Sequence, residues 1–269
     1  EKSKFILQSL GDIFESHDMV NKNHKLVTDH IKKKIDNNNF YLEKWKSPNL
    51  IRCKSNNLFG FPFDSEYWRA MVYIDQTFSL NSLEDLKMAY QTGLGLAKFH
   101  LICADLDCSK LEKNIKNFHN TNYYIDQYIL TLNDCKLINL DNDVNNRIID
   151  LISNLTSHIK YVKSLLKYFN KDSLSYNVIH GDPKLSNFLF DLQHKYVVSL
   201  VDLDTVSSGF FLTDLADCIR SICNSGGEDP NNIKNVCFDI NFCIYFLKGY
   251  FSYFKEKKND SFNLLPEFI

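Results

Sequence analysis

An aspartate and, five residues on, an asparagine lie within one polar run, His180-Gly181-Asp182-Pro183-Lys184-Leu185-Ser186-Asn187. A second run, Leu200-Val201-Asp202-Leu203-Asp204, ends an apolar strand-like stretch in two carboxylates. Phosphoryl transfer asks few covalent roles of a protein. It needs a group to position or deprotonate the attacking hydroxyl, and oxygen donors to hold Mg2+ on the nucleotide phosphates. A loop carrying Asp182 and Asn187 can aim a carboxylate at an acceptor and an amide oxygen at a metal, while Asp202 adds a charged ligand. Mg2+ prefers oxygen and keeps several waters, so one carboxylate, one amide and the phosphates suffice. Taken singly, an Asp or Asn in a loop is usually a turn residue bonding its own backbone. The joint occurrence of His, Asp, Lys and Asn in one loop, followed by an apolar strand ending Asp-x-Asp, favours the chemical reading.

The two runs match the HxDxxxxN loop and following metal-binding Asp that kinases share. HGD in place of HRD, and DLD in place of DFG, resemble the aminoglycoside phosphotransferase and choline kinase superfamily. Within it, HGDPKLSNFLFD and VDLDTVSSGFFLTDLADCIRS are most similar to N-acetylhexosamine 1-kinase and its relatives, as are NFHNT (Asn117–Thr121) and KFILQSL. The resemblance extends over most of the chain. It is strongest across 179–221 and loosest across 36–60.

That resemblance implies a kinase that uses ATP and Mg2+ to phosphorylate a small-molecule acceptor, with the anomeric hydroxyl of an N-acetylhexosamine as the leading candidate. Asp182 would be the catalytic base, and Lys184 would neutralise charge on the phosphoryl group in transit. Asn187 and Asp202 would hold Mg2+, with Asp204 as a further ligand. Tyr73 and Ile74 would offer backbone groups to adenine. His180 is expected to anchor the loop by hydrogen bonds rather than to move protons. Asp214 and Asp217, opening a helix that ends near Arg220, are expected to cap it, favour its dipole and pair with that arginine. Arg220 is kept as a substrate candidate beside His119 and Asn120, which with Thr121 offer ring, amide and hydroxyl groups suited equally to sugar recognition or to an ordinary N-cap.

These residues need elements to hold them. KFILQSL (4–10) reads as a short strand, and a helix is expected over 18–35, where Val27, Ile31 and Ile35 recur at spacing four. Residues 40–45, 50–54 and 67–74 read as strands. Ser82-Leu83-Glu84-Asp85 resembles an N-cap, ahead of a stripe of Leu86, Tyr90, Leu94, Ala97 and Leu101. A longer helix is expected over 143–169, with Ile148, Ile152, Leu155, Ile159, Val162 and Leu166 on its buried side, and another over 231–256. Between them, 176–202 reads as two short strands around a polar loop and a Gln-His-Lys turn. The expected class is α+β, a protein-kinase-like two-lobed fold. A small β-rich, truncated N-lobe (1–76) covers the nucleotide. A larger, mostly helical C-lobe (77–269) carries the catalytic loop, metal site and acceptor site.

The bulk numbers narrow the partners. The 269 residues carry a net charge of −2 with mixed signs, so no basic field invites nucleic acid or anionic lipid. Lys32-Lys33-Lys34 reads as the wet face of a helix. The eight cysteines show no CxxC pair and no zinc spacing. With no signal-peptide core and no membrane-length apolar run, they point to a reducing, cytoplasmic setting.

The pattern also departs from the resemblance. No Gly-rich loop precedes the first strand, and the nucleotide lysine expected there falls at Gln8 or Ser9, with Lys4 too early. Asp29 is the nearest helix carboxylate. A trimmed kinase and a degenerate one both fit, and a pseudokinase-like domain binding nucleotide or a partner is the alternative function. A metal phosphoesterase built on Asp202 and Asp204 leaves the HGDxxxxN loop without a role. Transfer to protein Ser or Thr is not expected: no Ala-Pro-Glu segment follows Asp202, and Thr205–Thr213 is too short to dock a peptide.

Overall fold

Alternation of side chains along Phe5–Leu10 gives β1, whose buried end, Leu10, faces inward while Phe5 and Leu7 are exposed. The chain is seen in a computed structural model that describes residues 4–37, 44–134, 142–169, 176–227, 230, 232, 234, 236–253, 263 and 265–269. Helix α1 (His17–Asp36) buries Val20, Val27 and Ile31 on one face. It is followed by β2 (Leu50–Ile51), β3 (Phe61–Phe63) and β4 (Glu66–Val72). These strands form one antiparallel sheet in the order β1-β4-β2, with β3 also on β4. The strand expected at 40–45 falls partly outside the described residues, and Lys44 and Trp45 are not in a strand. β3 was not expected, because Pro62 within a three-residue run argues against a strand.

After β5 (Thr77–Phe78) comes α2 (Leu86–Cys103). Its cap is Asp85, whose side chain accepts the Met88 N–H at 2.8 Å, not Ser82. Asp85 is the acceptor that adjoins the first helical residue, so it displaces the earlier candidate. Helix α6 (Ile240–Phe251) packs closely on α2 because glycines sit at the crossing. A Cβ on Gly93 would strike the Phe246 carbonyl, and one on Gly249 the Tyr90 carbonyl. Residues 232, 234 and 236–239 are not α-helical, so α6 is shorter than the expected 231–256. Asp239 caps it by accepting from Asn241 and Phe242.

The remaining elements are β6 (Asn177–Ile179), β7 (Phe188–Asp191), β8 (Val197–Leu200), β9 (Ser207–Gly209), α5 (Phe211–Ile222) and the terminal turn α7 (Leu265–Phe268). β7 and β8 make a hairpin onto which β5 pairs, and β6 pairs with β9. The core gathers Phe99, Phe188, Phe190, Leu203, Leu212, Leu215, Phe246 and Tyr250, all fully buried.

A separate compact unit, Lys116–Leu174, holds α3 (Thr121–Asp134) and α4 (Asn142–Phe169). The Tyr128 hydroxyl on α3 donates to the Ile152 carbonyl on α4 at 3.4 Å. On α4, Ile148, Ile152, Ile159, Val162 and Leu166 are half-buried, whereas Leu155 is exposed. Among the described residues no helix is long and apolar enough to cross a membrane.

Candidate active site

The hairpin β7–β8 brings the separated candidates together. Phe188 pairs with Leu200, and the Val201 N–H donates to the Asn187 carbonyl at 2.9 Å. Asn187 and Asp202 therefore flank the same end of one hairpin. Asn187 is buried, and its Nδ2 donates to the Asp182 carbonyl at 2.8 Å. That bond closes the Asp182–Asn187 loop and leaves Oδ1 as the atom free to meet a cation.

His180 holds the loop from the other side. It is fully buried. Its Nε2 lies 2.9 Å from the Val201 carbonyl, which can only accept, so Nε2 carries the proton. Nδ1 then accepts the Asp182 N–H at 3.3 Å. Both ring nitrogens are spent on backbone, which makes the ring an anchor between the Asp182 loop and the end of β8. The Thr205 hydroxyl donates to the His180 carbonyl at 2.9 Å. Gly181 has φ +86°, and a Cβ there would come within 2.6 Å of the Thr205 carbonyl oxygen. Only glycine fits.

Asp214, in the first turn of α5, is fully buried and does not cap the helix. Its carboxylate accepts the His180 N–H at 2.6 Å and the Gly181 N–H at 2.8 Å. His100 on α2 lies 3.0 Å from it through Nε2, and the His100 Nδ1 is 2.8 Å from the Tyr250 hydroxyl on α6. Burial opposes ionisation of Asp214. The hydrogen bond and charge of His100 and the Gly181 amide outweigh it and hold the carboxyl below its usual range. Asp217 does pair with Arg220, at 3.0 Å. Burial pushes the Asp217 carboxyl up against that pairing, and the nearby Asp182 adds to the rise.

Asp182 and Lys184 form an ion pair at 2.9 Å, both partly open to solvent. Asp202 sits at φ 65°, ψ 57°, a left-handed backbone that costs a non-glycine residue energy and marks an imposed turn. Its carboxyl is raised by burial and then by the charge of Asp204, with Asp182 contributing and Lys184 opposing. A buried carboxylate crowded by other carboxylates is a place where a cation is stabilising. Among the described residues no group of three or more His, Cys, Asp or Glu side chains can hold a metal by itself. Asn187 and Asp202 fit an ion such as Mg2+, whose remaining positions water and phosphate would fill.

Asp204 stands differently. One carboxylate oxygen pairs with the guanidinium of Arg69 from β4, and the other accepts from Gln8 Nε2 at 3.3 Å. Arg69 is fully buried. It was not singled out in the sequence, although an arginine inside the apolar run Tyr-Trp-Arg-Ala-Met-Val is the one signal that could have shown it. Gln8, where a lysine was expected, lies directly across the strand pair from Arg69. Asp29 pairs with Lys25 on the exposed face of α1.

Tyr73 and Ile74 follow β4. The Tyr73 N–H donates to the Lys4 carbonyl at 3.4 Å, and the Ile74 carbonyl accepts from Thr77 Oγ1 at 2.7 Å. Both line an open cavity of about 600 Å³ with Lys25, Thr28, Trp45 and Phe59. None of Asp182, Asn187 or Asp202 lines it. In the other unit, Asn120 Oδ1 accepts the Tyr123 N–H at 3.1 Å and so caps α3. His119 has φ 56° and packs its ring 4.0 Å from that of Phe118.

Comparison with known proteins supplies the frame for this geometry. Among solved structures, the chain is similar to a microcompartment-associated aminopropanol kinase, with TM-score 0.64 and 13% identity over 99% of this chain and 74% of that one. It is similar to an amicoumacin kinase in complex with AMP-PNP, Ca2+ and Ami, with TM-score 0.61 and 13% identity over 99% and 71%. It is likewise similar to an aminoglycoside phosphotransferase from Alicyclobacillus acidocaldarius, with TM-score 0.61 and 13% identity over 93% and 68%. These likenesses show the fold, the kinase-like two-lobed α+β architecture. The profile of the phosphotransferase enzyme family matches residues 47–235, a span that takes in the Asp182–Asn187 loop and both strands of the β7–β8 hairpin, and the chain belongs to that family.

Proposed function

We propose that this protein is an ATP-dependent kinase of a small hydroxyl-bearing molecule, with a sugar-like acceptor and the anomeric hydroxyl of an N-acetylhexosamine as the first candidate. The observation that carries the reading is the joint fixation of Asp182, Asn187 and Asp202. The β7–β8 hairpin, His180 and Asp214 hold the two runs against each other through buried hydrogen bonds. Such pre-set geometry is what a reaction limited by positioning and electrostatics needs.

In this reading Asp182 accepts the hydroxyl proton as the acceptor oxygen bonds the γ-phosphorus and the bond to the β,γ-bridging oxygen breaks, releasing ADP. Lys184, now paired with Asp182, offsets charge on the phosphoryl group in transit. Asn187 Oδ1 and the Asp202 carboxylate would hold Mg2+, which supplies neutralisation of the phosphate oxygens when bound. Residues 1–76 would cover the nucleotide, with Tyr73 and Ile74 beside the adenine, and 77–269 would carry the chemistry. Arg220, His119 and Asn120 are proposed as acceptor contacts on the motif resemblance alone. The cysteine pattern puts the work in the cytoplasm. The sugar preference rests on the likeness of HGDPKLSNFLFD and NFHNT to hexosamine kinases.

The test is a transfer screen with ATP and Mg2+ against hexosamines, choline, homoserine and aminoglycosides, run beside Asp182→Asn. Transfer to one class that the variant loses is the expected result. Equal transfer by both proteins would remove Asp182 from the chemistry.

A further inference from the structure

Asp202, with its left-handed backbone, stands directly before a turn that other elements grip. The 3-10 turn Leu203–Thr205 is held by polar groups from four directions. Asn114 Nδ2 donates to the Asp204 carbonyl at 2.8 Å, and Asn23 Nδ2 on α1 donates to the Val206 carbonyl at 3.2 Å. Gln8 on β1 and Arg69 on β4 hold the Asp204 carboxylate. Arg69 is itself fixed on three sides. Its Nε and Nη2 donate to Gln8 Oε1 at 3.1 and 2.8 Å, and its Nη1 donates to Asn21 Oδ1 on α1 at 3.2 Å.

A guanidinium buried this completely is costly unless its counter-ion and its other donors are satisfied. Here they are, and the counter-ion lies two residues from Asp202. A planar, always-charged fork suits this task better than a flexible ammonium, because it can meet Asp204, Gln8 and Asn21 at once.

We infer that Arg69 is a positioning residue for the metal arm: it takes Asp204 as its counter-ion, withdraws that carboxylate from metal coordination, and fixes the turn that aims Asp202. The inference rests on the proposed nucleotide–metal site and deepens it. It assigns Asp204 to the sheet rather than to the cation, and it makes the sheet and the metal strand one rigid piece.

A double-mutant cycle separates this role from a ligand role. Free Mn2+ is measured by electron paramagnetic resonance during titration of the full chain with ADP present. The variants are Arg69→Met, Asp204→Asn, the two together, and Arg69→Lys, with thermal melting recorded for each. If Asp204 were a metal ligand, Asp204→Asn would lose Mn2+ while Arg69→Met, which frees the carboxylate, would keep or gain affinity. On the positioning account both single variants lose affinity by similar factors, about tenfold to a hundredfold, as for residues that orient a metal's ligands. The double variant is then no weaker than either single one, because the pair acts as a unit.

Arg69→Lys is expected to fall between wild type and Arg69→Met, since an ammonium can pair with Asp204 but cannot also span Gln8 and Asn21. Wild-type Mn2+ affinity in a destabilised Arg69→Met would show a merely structural pair and overturn the inference. If Arg69→Met does not fold, the double variant, which leaves no unpaired buried charge, and Arg69→Lys carry the comparison. Wild-type affinity in both would overturn it. Failure of the wild type to bind Mn2+ with ADP would instead sink the nucleotide–metal reading, and this inference with it. Mn2+ binding without transfer to any acceptor would sink only the acceptor reading.

Discussion

Replacing Asp214 by alanine should detach the His180–Asn187 loop from the core. The carboxylate accepts two backbone N–H groups of the loop, at 2.6 and 2.8 Å, and lies 3.0 Å from His100 Nε2. All are buried, so each loses its acceptor without gaining bulk water. Leaving a buried donor unsatisfied costs about 1–3 kcal/mol, and three of them give on the order of 3–9 kcal/mol, less if water enters the space left behind. Asp214→Asn keeps one accepting oxygen but turns an NH2 toward a donor, and should lose about 2–4 kcal/mol. The pH sign follows from the depressed carboxyl. The stabilisation is present above the unfolded-chain value near 3.8 and is lost as pH falls through the lower folded value, so the asparagine variant should lose this acid sensitivity. Urea unfolding from pH 7 to about pH 2 measures both. Turnover should fall about a hundredfold in the asparagine variant, because a loop displacement of order 1 Å misplaces Asp182. A loss under about 1 kcal/mol in Asp214→Ala, or unchanged turnover in a folded Asp214→Asn, would refute the idea that this carboxylate sets the loop.

Two further outcomes are expected. His24 is fully buried with Nε2 2.6 Å from the Pro48 carbonyl, and burial and then the charge of Arg69 lower its pKa to about 3. Between pH 6.5 and about 3 the unfolded chain binds a proton that the folded chain refuses. Stability should therefore fall on acidification by up to about 1.4 kcal/mol per pH unit from this group; urea midpoints of His24→Gln that keep the wild-type slope would contradict this. Gly181→Ala combines a left-handed φ with a 2.6 Å approach to the Thr205 carbonyl. It should cost about 2–4 kcal/mol, and a melt within error of wild type would show that the loop relaxes freely.

The candidate site was legible in the sequence because its residues are contiguous. His180 to Asn187 and Leu200 to Asp204 are two short runs, and a hairpin with a recognisable Gln-His-Lys turn joins them. Elements with a clear period were legible for the same local reason: β1, α1, α2 and α4 all lie where spacing placed them. What escaped was long-range. Arg69 and Asp204 are 135 residues apart, and nothing in either neighbourhood announces the other. Asp214 looked like a helix cap because it opens α5; only the fold turns its carboxylate onto the His180 and Gly181 amides. The same holds for His100 and Tyr250, which no local pattern singled out and which the fold buries in one hydrogen-bonded chain with Asp214. Competing local signals misled elsewhere. Ser82 and Asp85 are both good caps, and adjacency to Leu86 decided between them.

In the proposed mechanism Asp182 takes the acceptor proton in a loop built for phosphoryl transfer. The most direct test is the single-turnover rate of phosphate transfer from ATP to the best acceptor, for wild type and Asp182→Asn at saturating nucleotide, with nucleotide affinity measured alongside. The account predicts a rate lower by a factor of about a hundred or more with nucleotide affinity retained. Equal rates, or a variant that fails only because it no longer binds nucleotide, would contradict it.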